Sequence, residues 1–281
     1  MTNILILIPS LTGVGGAEKL VDSLSSLLGS SHQVFQASFD AEGARRHFES
    51  QTSFFPLGVV PRLPLCFRWI TYAVLAFRLA KFKRKLGIDI TISCLWGADL
   101  ISAMSLGKDK KISLGIINIR NNQTNRLMIR FRSLVGIIYR RFDRVLAISR
   151  PLQDELRELY TIPVEKLGTF RNFLDTPPPT SVWGVDNIRR FVFCGRLVYE
   201  KNVDGLLAIW AAFASSKTNI QLVILGDGPL AQESRSLALK LNLSIGVSPT
   251  DKQASVLFLG SVSQPENYMV GARAFLLTSR H

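Results

Sequence analysis

The residues best suited to chemistry are Gly195-Arg196-Leu197-Val198-Tyr199-Glu200-Lys201-Asn202, set between an apolar strand-like run at 191–194 and a helical pattern at 203–213. Arg196 and Lys201 flank the turn, and two cations at a strand's end can grip a diphosphate; the same residues also suit an ordinary solvated loop. A second candidate is Gly13-Val14-Gly15-Gly16-Ala17-Glu18, directly after the strand-like run 4–8 and opening a helix. Glycines there let the backbone approach a phosphate, and a helix N-terminus adds about half a positive charge. A plain tight turn would use the same glycines. Glu18 stands where a dinucleotide fingerprint needs its third glycine, while Asp40 stands about where a ribose-binding acid would be. The third candidate, Leu225-Gly226-Asp227-Gly228-Pro229, is by itself only a sharp turn at a strand's carboxyl end.

These turns need elements to hold them. Strand-like runs at 4–8, 33–37, 88–93, 113–119 and 144–148 alternate with helical patterns at 17–28, 69–86 and 151–159. That rhythm predicts a parallel sheet with helices on both faces. Residues 173–187 contain Pro177-Pro178-Pro179 and little apolar periodicity, and read as a stiff linker. The alternation then restarts, with strands at 191–194, 221–225, 256–259 and 274–277 and helices at 203–213 and 230–241. The organisation expected is two Rossmann-like domains, 1–172 and 188–281, joined by 173–187 with a cleft between them. The second is expected to be incomplete, because it stops on a strand with no covering helix. Ligands of open α/β sheets bind at strand ends, where all three turns lie.

Composition narrows the function. The longest apolar run inside a helical pattern, 69–77, has nine residues between Arg68 and Arg78, far short of the ~20 a spanning helix needs. The opening Met1-Thr2-Asn3 has no basic region or cleavage site, which argues against a signal peptide. Cys66, Cys94 and Cys194 are far apart in apolar surroundings and read as buried thiols of a reducing compartment. No Asp-x-Asp pair occurs and the three histidines form no ligand spacing, so neither a metal nor another cofactor is expected.

The net charge of +13 is uneven. Residues 1–185 carry 24 Lys and Arg against 14 Asp and Glu, and 186–281 carry 10 against 7. One basic run extends from Arg62 to Lys85 with no acid between Glu49 and Asp89; another extends from Arg120 to Arg150 with Asp143 as its only acid. Such clustering predicts a polyanionic neighbour. On a helix, Thr71, Arg78 and Lys85 share one side with Lys81 beside them, and Trp69, Ala73, Ala76 and Ala80 lie opposite. That pattern fits a basic amphipathic helix in an anionic membrane interface as well as a domain helix with a solvated face. Nucleic acid is not expected, since no aromatic–basic recognition motif accompanies the charge.

Gly15-Gly16-Ala17-Glu18, the Gly195-Arg196-Leu197-x-x-Glu200-Lys201-Asn202 turn, Gly226-Asp227-Gly228-Pro229, Phe258-Leu259-Gly260 and Leu276-Leu277-Thr278-Ser279-Arg280 together resemble the retaining glycosyltransferases of family 4. Their order and spacing run nearly the whole chain. The resemblance implies the GT-B architecture of two facing Rossmann-like domains, the first on the acceptor side and the second holding a nucleotide-sugar donor. It implies that Arg196 and Lys201 hold the donor diphosphate in the turn built on Gly195, Gly226, Asp227 and Gly228. Gly15 and Gly16 would close over it, and the backbone around Gly260 and Val262 would meet the base. Arg120 stands where many members carry a histidine.

The family continues past Ser279-Arg280 into Glu-Gly-Phe and a second glutamate, whereas this sequence stops at His281. The chain as given is therefore expected to lack turnover. The expected function is retaining transfer from a UDP- or GDP-sugar to a lipid-linked saccharide or polysaccharide precursor. The expected setting is cytoplasmic, peripheral on the inner face of the membrane. A sugar-nucleotide epimerase of the same architecture and a non-catalytic nucleotide-sugar-binding subunit are the alternatives.

Overall fold

The computed structural model describes residues 1–11, 16–39, 53–58, 68–115, 130–171, 179–184 and 186–280. It divides into two compact units, Met1–Asp175 and Thr176–His281, each with its own sheet.

In the first unit the strands are β1 (Asn3–Ile8), β2 (Gln33–Ser38), β3 (Ser53–Pro56), β4 (Ile90–Cys94), β5 (Lys110–Gly115), β6 (Arg144–Ala147) and β7 (Leu167–Thr169). All pair in parallel, in the order β3-β2-β1-β4-β5-β6-β7. The helices are α1 (Gly16–Gly29), α2 (Arg68–Leu86), α3 (Trp96–Met104), α4 (Arg132–Arg140) and α5 (Arg150–Tyr160). Residues 4–8 are apolar without alternation because both faces are covered. Ile4, Ile6 and Ile8 pack with Val21 and Leu24 of α1, while Leu5 and Leu7 pack with Leu75, Ala76 and Leu79 of α2 and Ala98 and Ile101 of α3. Val135 and Tyr139 of α4 and Leu152 and Leu156 of α5 join Val145 and Ala147 on the α3 side.

Local chemistry sets several boundaries. The Ser149 hydroxyl accepts from the Leu152 amide at 3.4 Å, Pro151 sits in the first turn of α5, and Thr161 ends that helix at φ 53°. Lys83 is the polar exception on the buried side of α2. Its ammonium donates to Ser105 Oγ (2.7 Å) and to both Asp109 oxygens (2.8 and 2.9 Å), and Thr91 Oγ1 donates to Asp109 as well. Burial pulls the Lys83 pKa below its usual range, and the Asp109 carboxylate opposes that shift.

The second unit has β8 (Arg189–Cys194), β9 (Ile220–Leu225), β10 (Ile245–Gly246), β11 (Val256–Gly260) and β12 (Ala274–Phe275), in the parallel order β10-β11-β9-β8-β12. Its helices are α6 (Val203–Ala214), α7 (Ala231–Lys240) and α8 (Pro265–Met269). Val203, Leu206, Leu207 and Trp210 of α6 cover one face with Phe193, Leu222 and Ile224. Residues 180–184 and Asp186, read above as the end of a linker, pack on this unit. The Trp183 indole N–H donates to Tyr268 O at 2.9 Å, and the Arg190 guanidinium lies 4.3 Å from the Trp183 ring. Arg190 also makes a bidentate pair with Asp186 at 2.9 and 2.7 Å, which holds the Asp186 carboxyl down at about 2.

Three sequence expectations are corrected. The strand expected at 113–119 runs over Lys110–Gly115, with 116–119 outside the described residues. α3 and α4 were not anticipated. On α2, of the residues read as lying opposite the cations, Ala76 and Ala80 are buried, whereas Trp69 is 65% exposed. Trp69 shares the angular side of Ala76 and Ala80 but stands in the first turn of the helix, ahead of the stretch from Leu75 onward that meets the core, so it stays exposed.

Candidate functional site

The strand order of the second sheet reverses at β8, since β9 lies on one side and β12 on the other. A crevice opens at such a point because the helices leave toward opposite faces. The turn after β8 stands there. Gly195 N donates to Leu225 O (2.9 Å), continuing the β8–β9 ladder one residue past the strand. Leu197 is buried and exchanges backbone bonds with the neighbouring turn, through Leu197 N to Asp227 O (3.0 Å) and Leu230 N to Leu197 O (3.1 Å). Buried Leu197 thus anchors the loop while Arg196 beside it stays exposed.

The chain then makes a single 3₁₀ turn at Tyr199–Lys201 and enters α6 through Asn202, whose φ of 51° is left-handed. This tight reversal folds half-buried Lys201 back beside the strand end. Its stem carbons Cε and Cδ lie 3.6 and 3.7 Å from where a Gly195 side chain would start. Arg196 and Lys201 are therefore on one turn at one strand end, and neither has an ion-pair partner among the described residues.

Gly226 and Gly228 make the close turn-to-turn approach possible. Gly226 has φ +126° and its Cβ would collide with Gly195 O; a Cβ on Gly228 would lie 2.5 Å from Leu197 O and 2.8 Å from Leu197 N. The Asp227 carboxylate accepts from the Gly228 amide at 2.7 Å, so it builds its own turn. Gly226 N donates to Gly260 O at 2.7 Å, which brings the end of β11 alongside. Gly260 has φ +70° and open space around it, and Val262 packs against Val192, Val223, Leu225 and Leu257. Gly195, Arg196, Lys201, Gly226, Asp227, Gly228, Gly260 and Val262 thus share one end of one sheet.

Two residues of the same end, Thr278 and Arg280, had no assigned role in the sequence. Thr278 Oγ1 lies 3.2 Å from both Lys201 O and Asn202 O, Arg280 N donates to Glu200 O (2.8 Å), and the Arg280 guanidinium sits 4.2 Å from the Tyr199 ring. The segment after β12 clasps the turn that carries Lys201. Its only sequence signal was membership of a motif after a strand.

In the first unit the order reverses between β1 and β4. Gly16 starts α1 there, exposed, with nothing within 4 Å of the place a Cβ would take. Leu95, just past β4, has φ 74° and ψ 152°, a conformation that costs a non-glycine residue about 1–3 kcal/mol. Gly15, Asp40, Cys66 and Arg120 lie outside the described residues. Cys94 is buried, its thiol pKa pushed up by burial and the nearby Asp99 carboxylate, and neither it nor Cys194 is in a disulfide.

A family model described as Glycosyltransferase Family 4 matches residues 14–177, and one described as Glycosyl transferases group 1 matches 185–281. The N-acetylgalactosamine-N,N'-diacetylbacillosaminyl-diphospho-undecaprenol 4-alpha-N-acetylgalactosaminyltransferase of Campylobacter jejuni is 27% identical over 277 residues, spanning 95% of this chain and 72% of that protein. Among solved structures, Anabaena Alr3699/HepE in complex with UDP and glucose matches at a TM-score of 0.73 and 16% identity, covering 99% of this chain and 74% of that one. The lipopolysaccharide outer core galactosyltransferase WaaB matches at 0.66 and 17% identity, covering 99% and 74%.

Proposed function

The chain belongs to glycosyltransferase family 4, and on that footing we propose that it moves a sugar, with retention, from a UDP- or GDP-sugar to a lipid-linked saccharide or polysaccharide precursor. In this reading 188–281 holds the donor, 1–172 serves the acceptor and 173–187 joins them. The observation that carries it is the pair Arg196 and Lys201 on one glycine turn at the switch point of the second sheet. Negative charge grows on the β-phosphate as the glycosidic bond breaks. Two fixed cations stabilise that charge more than the ground state, which lowers the barrier. The amides around Gly260 would meet the base, and Gly15, Gly16 and Arg120 would act from the first domain. The lipid-linked acceptor named for the Campylobacter relative, together with the cationic first domain, supports an acceptor at an anionic membrane on the cytoplasmic face.

Calorimetric titration with UDP and with uridine tests the site. Arg196→Ala and Lys201→Ala should each weaken UDP binding about tenfold or more, the scale of one charged hydrogen bond, and leave uridine nearly unchanged. UDP affinity equal to wild type in both variants would remove the diphosphate from this turn.

A further inference from the structure

The parallel register places Leu7, Ser93, Ser113 and Val145 in one row on one face of the first sheet. Leu7 packs with α2 and Val145 with α4, so these helices lie on the same side, with the mostly buried α3 contacting both. Their outward sides carry large apolar residues. On α2 these are Phe77, 73% exposed, with Ile70 and Val74 beside it, and Trp69, 65% exposed, stands at the helix's first turn. Around α4 they are Phe131, Leu134 and Ile137, 54%, 57% and 53% exposed, at a three-residue spacing that makes one stripe.

Cations border both stripes. Lys81, Arg84 and Lys85 are exposed on α2, and Arg130, Arg132 and Arg140 are exposed in or beside α4. Neither helix contains an acidic residue. None of these six has an ion-pair partner among the described residues. Solvation alone explains the cations but not seven large apolar side chains on the outside of helices that already have a buried face.

We propose that the outer faces of α2 and α4 form one docking surface for an anionic lipid bilayer, with Trp69, Phe77, Phe131, Leu134 and Ile137 entering the interface and the six cations meeting lipid phosphates. This deepens the membrane reading above and moves its centre from one helix to two. Apolar residues ringed by Lys and Arg fit the boundary between headgroups and acyl chains, where each finds its own solvent. Charge complementarity selects this occupant: a second copy of the chain would set these cations against one another, and a nucleic acid would leave the apolar stripes uncovered.

Sedimentation of the whole chain with phosphatidylcholine vesicles, with and without phosphatidylglycerol, tests the surface in the absence of any acceptor. Binding is expected only with phosphatidylglycerol, and it should weaken as salt rises. Replacing Arg130, Arg132 and Arg140 by Gln should lower it roughly a hundredfold, at ~1 kcal/mol per cation. Leu134→Gln combined with Ile137→Gln should lower it about tenfold or more. Brominated acyl chains should quench wild-type fluorescence, and Trp69→Phe should lose most of that quenching. UDP titration of every variant, unchanged from wild type, reports an intact protein and keeps this test separate from the donor site. Equal binding to neutral vesicles, or wild-type binding by both the triple arginine variant and the Leu134→Gln, Ile137→Gln double variant, overturns the proposal. So does vesicle-free dimerisation abolished by Leu134→Gln, or duplex DNA binding in place of vesicle binding.

Discussion

Asp99 is a fully buried carboxyl on α3, reached by three hydroxyls: Ser93 (2.6 Å), Ser113 (2.9 Å) and Tyr139 (3.3 Å). Burial pushes its pKa up to about 7, and the three hydrogen bonds offset only part of that. The folded state therefore binds the proton more tightly than the unfolded chain, so stability falls as pH rises from about 4 to about 7 and is level above that. The move from about 4 to about 7 corresponds to roughly 4 kcal/mol. Asp99→Asn should flatten this slope, which melting curves across that pH range would measure; an unchanged slope would show that Asp99 is not its source. This network was invisible in the sequence, because an aspartate announces its charge but not its burial. Arg196 and Lys201 were legible because their type, their spacing and the glycine between strand and helix already limit what they can reach. Thr278 was not, since a hydroxyl after a strand has too many ordinary uses.

At the scale of elements, the β8 and β9 turns depend on backbone meeting backbone with no side chain between them. Gly228→Ala would place a methyl group 2.5 Å from Leu197 O, which is held by the Leu230 amide and cannot swing aside like a side chain. The turn must open, at about 1–3 kcal/mol, carrying Arg196 away from the strand end. Denaturant unfolding should show that loss and titration should show weaker UDP binding; normal values for both would mean the turns need not touch. The strands and their glycine turns were readable because unbroken apolar runs and glycines are strong local signals. α3 and α4 were not. α3 buries Asp99 and Ser102, so it lacks the inside-apolar, outside-polar period by which a helix is recognised, and α4 is only nine residues long with Gly136 in its middle.

At the scale of the whole molecule, each unit closes its own core, one around the β1–β4 sheet and the other around β8, β9 and β11. Calorimetric melting should therefore resolve two transitions. UDP at a hundredfold excess over its dissociation constant should stabilise the transition of Thr176–His281 by about 2.7 kcal/mol, and Asp99→Asn should move the other. A single transition that both changes move together would mean that the cores unfold as one. The sequence by itself determined the alternation of strands and helices, the restart near residue 188, the family and the glycine turns at the strand ends. These are local patterns, fixed by residues a few positions apart. Only the tertiary structure decided that the segment after β12 clasps Lys201, that Asp227 accepts from the Gly228 amide of its own turn, and that α2 and α4 share one side of a sheet. Those facts join residues as much as about 80 positions apart in sequence, as Thr278 and Lys201 are. Such pairings follow from strand order and register, which one-dimensional periodicity does not encode.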